Sequence, residues 1–200
     1  MRSYIILSIL IIILFRTLTI LLLIQLNWRY KMKKIVLAAF SLSLSFIVYA
    51  GGNPDHVKFP EGYQAEFTKY DTRNRANGKQ VGVFYANKIA TDTAASGNMG
   101  DGAKIIMEVY KTVPGEDGKP TVGENGLFKK GKFAAIAVME KRSNWDASFD
   151  AKERAGDWGF AIYKTDGTVK DNKLDCASCH LPMPDNDYMF THSSLINFTK

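Results

Sequence analysis

The two cysteines of this 200-residue chain lie in one short motif near its end, Cys176-Ala177-Ser178-Cys179-His180. On a helix, residues three and four positions apart share a face, so both thiols and the imidazole can reach one flat ligand. Cys-x-x-Cys-His in an exported protein is the attachment signature of a c-type haem. The motif therefore predicts one covalently bound haem c, with thioether bonds to Cys176 and Cys179 and with His180 as an axial ligand of the iron.

Three other uses of paired cysteines compete with this interpretation: a structural disulfide, a thioredoxin-like redox pair and half of a zinc site. A structural zinc site has four protein ligands, and the only further histidines of the chain are His56 and His192. A redox pair is expected near the start of a β-α-β pattern, whereas this motif comes late in the chain. Haem attachment is the favoured interpretation, and His192 is expected at the surface rather than as a second iron ligand.

The N-terminal part of the chain has the pattern of an export signal. Three lysines precede an apolar run over residues 35–50 that only serines interrupt. This pattern predicts a signal peptide over residues 32–50, cleavage after Ala50 and a haem domain over residues 51–200. Because haem is joined to Cys-x-x-Cys-His outside the bacterial cytoplasm, we expect a periplasmic protein.

Residues 1–31 form a doubtful upstream hydrophobic segment. Their apolar stretch is broken by Arg16 but is long enough for a membrane span of about 20 residues. Alternatively, Met32 is the true start, because Met-Lys-Lys followed by an apolar run is already a complete signal peptide. Membrane tethering is expected only if residues 1–31 are translated and retained.

The basic excess of the chain lies in this leader. Residues 1–50 hold six of the 26 lysines and arginines and none of the 20 acidic residues, so that residues 51–200 are balanced in charge. The sequence pI of about 9.2 therefore gives no indication of nucleic-acid binding, and no nucleic-acid partner is expected. About 150 residues are enough for one domain with its own hydrophobic core.

The pattern beyond the leader indicates more sheet than helix. Four short runs are rich in β-branched and aromatic residues, and glycine-containing turns separate them. Short helices are predicted over residues 87–96 and at the cysteine motif. These features predict an α+β fold that is predominantly an antiparallel β-sheet with a few short helices and carries a c-type haem near its C-terminus. The predicted strands cover residues 81–86, 103–110, 133–140 and 158–163.

Several motifs, considered together, resemble the cytochrome P460 family, which includes the cytochromes c prime-beta. The resemblance covers the chain from about Phe59 to Phe190. It implies a predominantly antiparallel β fold with a few helices, usually in a homodimer, that holds one five-coordinate c-type haem. The motifs are Phe84-Tyr85-Ala86-Asn87, Asp101-Gly102, Val138-Met139-Glu140-Lys141, Gly156-Asp157-Trp158-Gly159-Phe160 and the terminal Cys-x-x-Cys-His followed by Asp187.

One departure from the family pattern bears on activity. The members that oxidise hydroxylamine have a strand lysine linked covalently to the porphyrin, and the resemblance puts Met107 at that position here. Lys104 lies three residues earlier, so its side chain is expected on the opposite side of the strand. We therefore expect a cytochrome that binds small diatomic ligands such as nitric oxide, transfers electrons to a redox partner protein, or does both. The alternative is a P460-type oxidoreductase that oxidises hydroxylamine or nitric oxide.

The side of the haem opposite His180 is expected to be apolar. Such surroundings favour neutral nitric oxide and carbon monoxide over anionic ligands, because nothing there donates a hydrogen bond. Iron ligation by Met107 is an open alternative, which would produce a six-coordinate electron carrier. The candidates for lining this pocket are Met107, Phe84, Tyr85, Phe133 and Val138.

Overall fold

One antiparallel sheet of five strands carries the part of the chain that the computed structural model describes, residues 52–200. Each strand pairs with the next one along the chain, so the order in the sheet is the order in the sequence. Together with a few short helices, this sheet confirms the predicted α+β fold. The strands are β1 (Thr68–Asn74), β2 (Gln80–Ala86), β3 (Lys104–Thr112), β4 (Lys130–Lys141) and β5 (Trp158–Tyr163).

Four of the strands, β2 to β5, match the four predicted runs, whereas β1 was not predicted. The sequence of β1 is mostly polar, and Tyr70 is its one buried residue. As an edge strand it pairs with β2 alone. The β-branched and aromatic pattern that marks a half-buried strand is weak here because β1 buries one residue, whereas β5, the other edge strand, buries five of its six.

Short helices follow or precede the strands. The second helix, Lys88–Thr93, begins directly after Asn87, whose side-chain oxygen accepts a hydrogen bond from the backbone N of Ala90 at 3.0 Å. This helix is shorter than the predicted residues 87–96 and continues as a single 3-10 turn, Ala94–Ser96. The helices are α1 (Tyr63–Glu66), α2 (Lys88–Thr93), α3 (Cys176–His180) and α4 (His192–Phe198).

The two faces of the sheet bury different side chains. One face, which we call the helix face, packs against α2, α3 and α4 through Ala90, Ala177 and Leu195. The other, which we call the N-terminal face, packs against the segment before β1 and against Phe149. The helix face includes Ala86, Ile105, Met139 and Phe160, and the N-terminal face includes Ile106, Ile136, Val138 and Ala161.

Glu108 is a buried carboxylate on the N-terminal face, with only 5% of its surface exposed. Three phenols donate hydrogen bonds to it: Tyr63 at 2.8 Å, Tyr85 at 3.1 Å and Tyr110 at 3.0 Å. A charge in a protein core is tolerated when its acceptor atoms are satisfied in this way. The network also ties α1 to β2 and β3.

The described residues all belong to one compact unit. Among the helices of residues 52–200, none is long and apolar enough to cross a membrane. The predicted upstream segment, residues 1–31, and the predicted signal peptide, residues 32–50, lie outside the described residues.

Candidate functional site

The cysteine motif forms α3, as its spacing predicts. Asp175 begins the helix, because its carboxylate accepts hydrogen bonds from the backbone N and the Oγ of Ser178 at 3.0 and 2.6 Å. Cys176 is half-buried, Cys179 is exposed, and both are free thiols. Burial raises the pKa of the Cys176 thiol to about 11, and the negative charge of Asp175 makes a smaller contribution in the same direction. A raised pKa disfavours the thiolate on which the reactivity of a redox pair depends.

The imidazole of His180, at the end of α3, is held in one tautomer. Its Nδ1 lies 2.6 Å from the carbonyl oxygen of Tyr188. A carbonyl oxygen only accepts hydrogen bonds, so Nδ1 carries the proton and Nε2 keeps a lone pair. The ring also packs against Phe160 and Phe190, with ring centres 4.6 and 4.9 Å away.

Burial lowers the pKa of His180 below its usual value, although the hydrogen bond to Tyr188 acts in the opposite direction. The ring is consequently neutral at physiological pH. A neutral imidazole whose Nδ1–H is bound to a backbone carbonyl is the usual form of a metal-ligating histidine. This hydrogen bond fixes the orientation of the ring and raises the basicity of Nε2. His180 thus has the chemistry required of an axial iron ligand.

An apolar strip crosses the helix face next to the row that contains Phe160. Strand register places Phe84, Met107, Ala137 and Ile162 opposite one another in four successive strands. Met107 and Ala137 are only partly buried although β3 and β4 are interior strands, and Ile162 is also partly buried. An apolar surface that the chain itself leaves partly uncovered is typical of a ligand-binding site. This strip is suited to a flat, apolar group such as a porphyrin.

Two of the five predicted pocket residues lie on the same face as the cysteine motif. Phe84, Met107 and Cys176 all pack in one hydrophobic cluster of the helix face. The structure does not bring the other three to this cluster, because neighbouring residues of a strand point to opposite sides of the sheet. The residues placed on the N-terminal face are Tyr85, Phe133 and Val138.

Lys104 and Met107 point to opposite sides of β3, as the alternation of strand side chains predicts. The Nζ of Lys104 lies 3.5 Å from the carboxylate of Glu140, whereas Met107 packs on the helix face. The Glu140 side chain is only 3% exposed, so the Lys104 ammonium is held beside a buried charge.

Sequence reasoning missed Arg73, a residue of β1 whose side chain reaches Phe190 and Ser194 near the C-terminus. Its guanidinium carbon is 5.8 Å from the ring centre of Phe84, and its Nη1 donates to the carbonyl oxygen of Phe190 at 3.3 Å. The carboxylate of Asp71 accepts from its Nε at 2.8 Å and compensates its charge. Because β1 itself was not recognised, no sequence signal placed Arg73 near the motif.

The expectation that His192 lies at the surface is wrong. The residue is buried at the start of α4. Its Nε2 donates to the carbonyl oxygen of Gly97 at 2.7 Å. The packing of α4 on the helix face accounts for the burial, and nothing in the local sequence around His192 indicates it.

Comparison with known proteins agrees with this site. The family model described as cytochrome P460 matches residues 60–191, which include all five strands, α3 and Tyr188. No curated protein is similar enough to this chain to count as a match. The family binds haem c, and the two thiols, the neutral imidazole and the apolar strip described above fit that group. The chain therefore belongs to the cytochrome P460 family and is a c-type haem protein.

Proposed function

We propose that this protein is a periplasmic monohaem cytochrome of the c prime-beta type, which binds small neutral diatomic ligands such as nitric oxide. The observation that carries the proposal is the hydrogen bond from His180 Nδ1 to the Tyr188 carbonyl, which leaves the lone pair of Nε2 available and would let it bind the iron. Cys176 and Cys179, on the same helix, would each form a thioether bond to the same haem. The haem iron supplies the centre at which the ligand binds and electrons are exchanged.

The apolar strip supports a preference for neutral ligands. Met107 and Phe84 face each other across β2 and β3 on the helix face and offer no hydrogen-bond donor. Bound anions and bound oxygen need such donors, whereas nitric oxide and carbon monoxide do not. Phe84 and Met107 therefore favour nitric oxide and carbon monoxide, because they exclude water and give anions no partner. The charge of Arg73, which lies near Phe84, is compensated by Asp71.

Hydroxylamine or nitric oxide oxidation is the alternative, and it has less support. In the family resemblance, the lysine that cross-links the porphyrin corresponds to Met107, whose thioether has no amine to form that bond. Lys104 does not replace it, because its ammonium group is held beside Glu140 on the N-terminal face. The sheet itself separates the Lys104 side chain from the helix face, where the porphyrin would lie.

The partners and the location are part of the same proposal. The three lysines at positions 31, 33 and 34 and the apolar run over residues 35–50 support export to the periplasm. The family resemblance supports a homodimer, and an electron-carrying role implies a redox partner protein. The balanced charge of residues 51–200 supports the absence of a nucleic-acid partner.

An optical spectrum of the reduced protein, recorded with and without nitric oxide, tests the proposal. An ordinary ferrous c-haem spectrum that changes when nitric oxide is added is the expected result. A low-spin spectrum that nitric oxide barely changes would instead indicate iron ligation by Met107, and the Met107→Ala variant would then recover the response.

A strongly red-shifted ferrous Soret band would indicate a cross-linked porphyrin. Combined with hydroxylamine turnover on the order of 1 per second or faster, it would establish the oxidoreductase alternative. Intact-mass spectrometry gives an independent answer, since a third covalent bond to the haem changes the mass of the holoprotein by the hydrogens lost.

A further inference from the structure

The turn that presents the Tyr188 carbonyl to His180 is anchored by the residue before it, Asp187. The Asp187 side chain is 8% exposed. Its Oδ1 accepts a hydrogen bond from the Nζ of Lys141 at 2.7 Å, and its Oδ2 accepts one from the backbone N of Met99 at 2.8 Å. Both carboxylate oxygens are thus bound to parts of the protein that are distant in sequence.

Lys141 is itself fixed to the sheet. It is the last residue of β4, and its backbone N donates to the carbonyl oxygen of Ala103 at 2.9 Å. Its Nζ also donates to the side-chain oxygen of Asn98 and lies 5.8 Å from the ring centre of Trp158. The ammonium group therefore gives Asp187 a rigid attachment point inside the protein.

The backbone at this turn needs such an attachment. Asp187 and Tyr188 have φ values of 47° and 57°, so two successive residues other than glycine adopt the left-handed conformation. This conformation is unfavourable for both and persists only where surrounding contacts enforce it. Backbone hydrogen bonds, such as the one from Tyr188 N to the Met183 carbonyl oxygen at 2.8 Å, hold the turn locally. The Asp187 carboxylate adds the contacts that fix the turn to the rest of the protein.

We infer that the buried Lys141–Asp187 ion pair is a positioning unit for the axial histidine. It holds the Tyr188 carbonyl against Nδ1 of His180 and thereby fixes the tautomer and the orientation of the imidazole. A firm hydrogen bond at Nδ1 raises the basicity of Nε2 and strengthens its bond to the iron. This inference rests on the proposed function, because it requires His180 to be an iron ligand.

The test uses the ferrous holoprotein and the iron–histidine stretching band in its resonance Raman spectrum. Asp187→Asn removes the charge that Lys141 binds, so the band is expected to move to lower wavenumber and the reduction potential to rise. The double variant Lys141→Met/Asp187→Asn leaves no uncompensated buried charge and is expected to fold even if the single variant does not. It should show a shift in the same direction.

Glu140→Gln is the matched control. Glu140 is an equally buried, ion-paired carboxylate next to Lys141 in sequence, but it faces the N-terminal side of the sheet with Lys104 and Arg142. This variant should lose stability and leave the stretching band unchanged.

Three outcomes would overturn the inference. An unchanged band in Asp187 variants that retain covalent haem would show that the ion pair does not act on His180. An equal shift in Glu140→Gln would show that general loosening of the fold is the cause. A wild-type protein without covalent haem would refute the proposed function, and this inference with it.

Discussion

Phe84 and Met107 lie directly opposite each other in β2 and β3, and their side chains meet above Gly82. A Cβ atom at Gly82 would lie 2.9 Å from the Phe84 ring and 3.2 Å from the Met107 sulfur. Both distances are shorter than normal contacts of a Cβ atom. Phe84 and Met107 can therefore pack against the sheet here only because Gly82 has no side chain. Together they form the part of the helix face where we propose that the diatomic ligand binds.

Met107→Ala should therefore speed the binding of carbon monoxide. Truncation removes the contact with Phe84 and opens space on the ligand side of the haem. Because Met107 is only partly buried, we expect a loss of about 1–2 kcal/mol in the free energy of unfolding, below the loss for a fully buried methionine. Flash photolysis of the carbon monoxide complex measures the rate, and urea unfolding measures the stability.

Val138→Ala is the control for this change. Val138 is 2% exposed and lies on the N-terminal face, so its truncation should cost about 2 kcal/mol of stability and leave the carbon monoxide rate unchanged. Equal effects of both variants on the rate would contradict a pocket on the helix face.

The placement of the five predicted pocket residues shows which features of the pocket can be predicted from the sequence alone. Phe84 and Tyr85 are neighbours in one strand, so the alternation of side chains already requires them to face opposite sides of the sheet. Alternation does not tell which side the cysteine helix covers. That depends on how a segment that follows β5 folds back over the sheet.

Strand prediction succeeded where burial leaves a pattern and failed where it does not. The strands β2 to β5 bury apolar residues that make their runs recognisable, whereas β1 buries only one residue. The ion pair of Lys141 and Asp187 joins residues 46 positions apart. No local periodicity encodes such a contact, which exists only once the C-terminal turn lies against the end of β4.

Replacement of both motif cysteines, Cys176→Ala/Cys179→Ala, should abolish covalent haem. The wild-type protein should keep its haem stain after boiling and denaturing electrophoresis, because thioether bonds survive both. Each single variant should stain, since one thioether bond remains. Full retention of the stain in the double variant would show that the haem is attached elsewhere or that another group gives the signal.

The tyrosines around Glu108 predict a loss of stability at high pH. Burial, and after it the Glu108 carboxylate, raises the pKa of Tyr85 and of Tyr110 from 10.0 to about 12. Below pH 10 both phenols are protonated in the folded and the unfolded chain, so their contribution to stability is fully present. Between pH 10 and about 12 the unfolded chain releases these protons while the folded one retains them, and stability falls as the pH rises.

Glu108→Gln should narrow this pH range by lowering its upper end. Removing the negative charge makes phenolate formation less unfavourable, so the pKa of each phenol should fall toward its ordinary value. The ultraviolet absorbance of phenolate, followed during an alkaline titration of the folded protein, measures the shift. An identical titration curve for the variant and the wild type would mean that burial alone controls the phenols.

His180→Gly should leave the haem attached and change its spectrum. The thioether bonds to Cys176 and Cys179 do not depend on the imidazole, whereas the iron loses the nitrogen that the Tyr188 carbonyl holds in place. Added imidazole should enter the space left by the ring, between Phe160 and Phe190, and restore much of the wild-type spectrum. His192→Ala removes a second buried histidine that binds Gly97 instead, and it should lower stability without changing the spectrum. If His180→Gly kept the wild-type spectrum, or if His192→Ala altered it equally, His180 would not be the axial ligand.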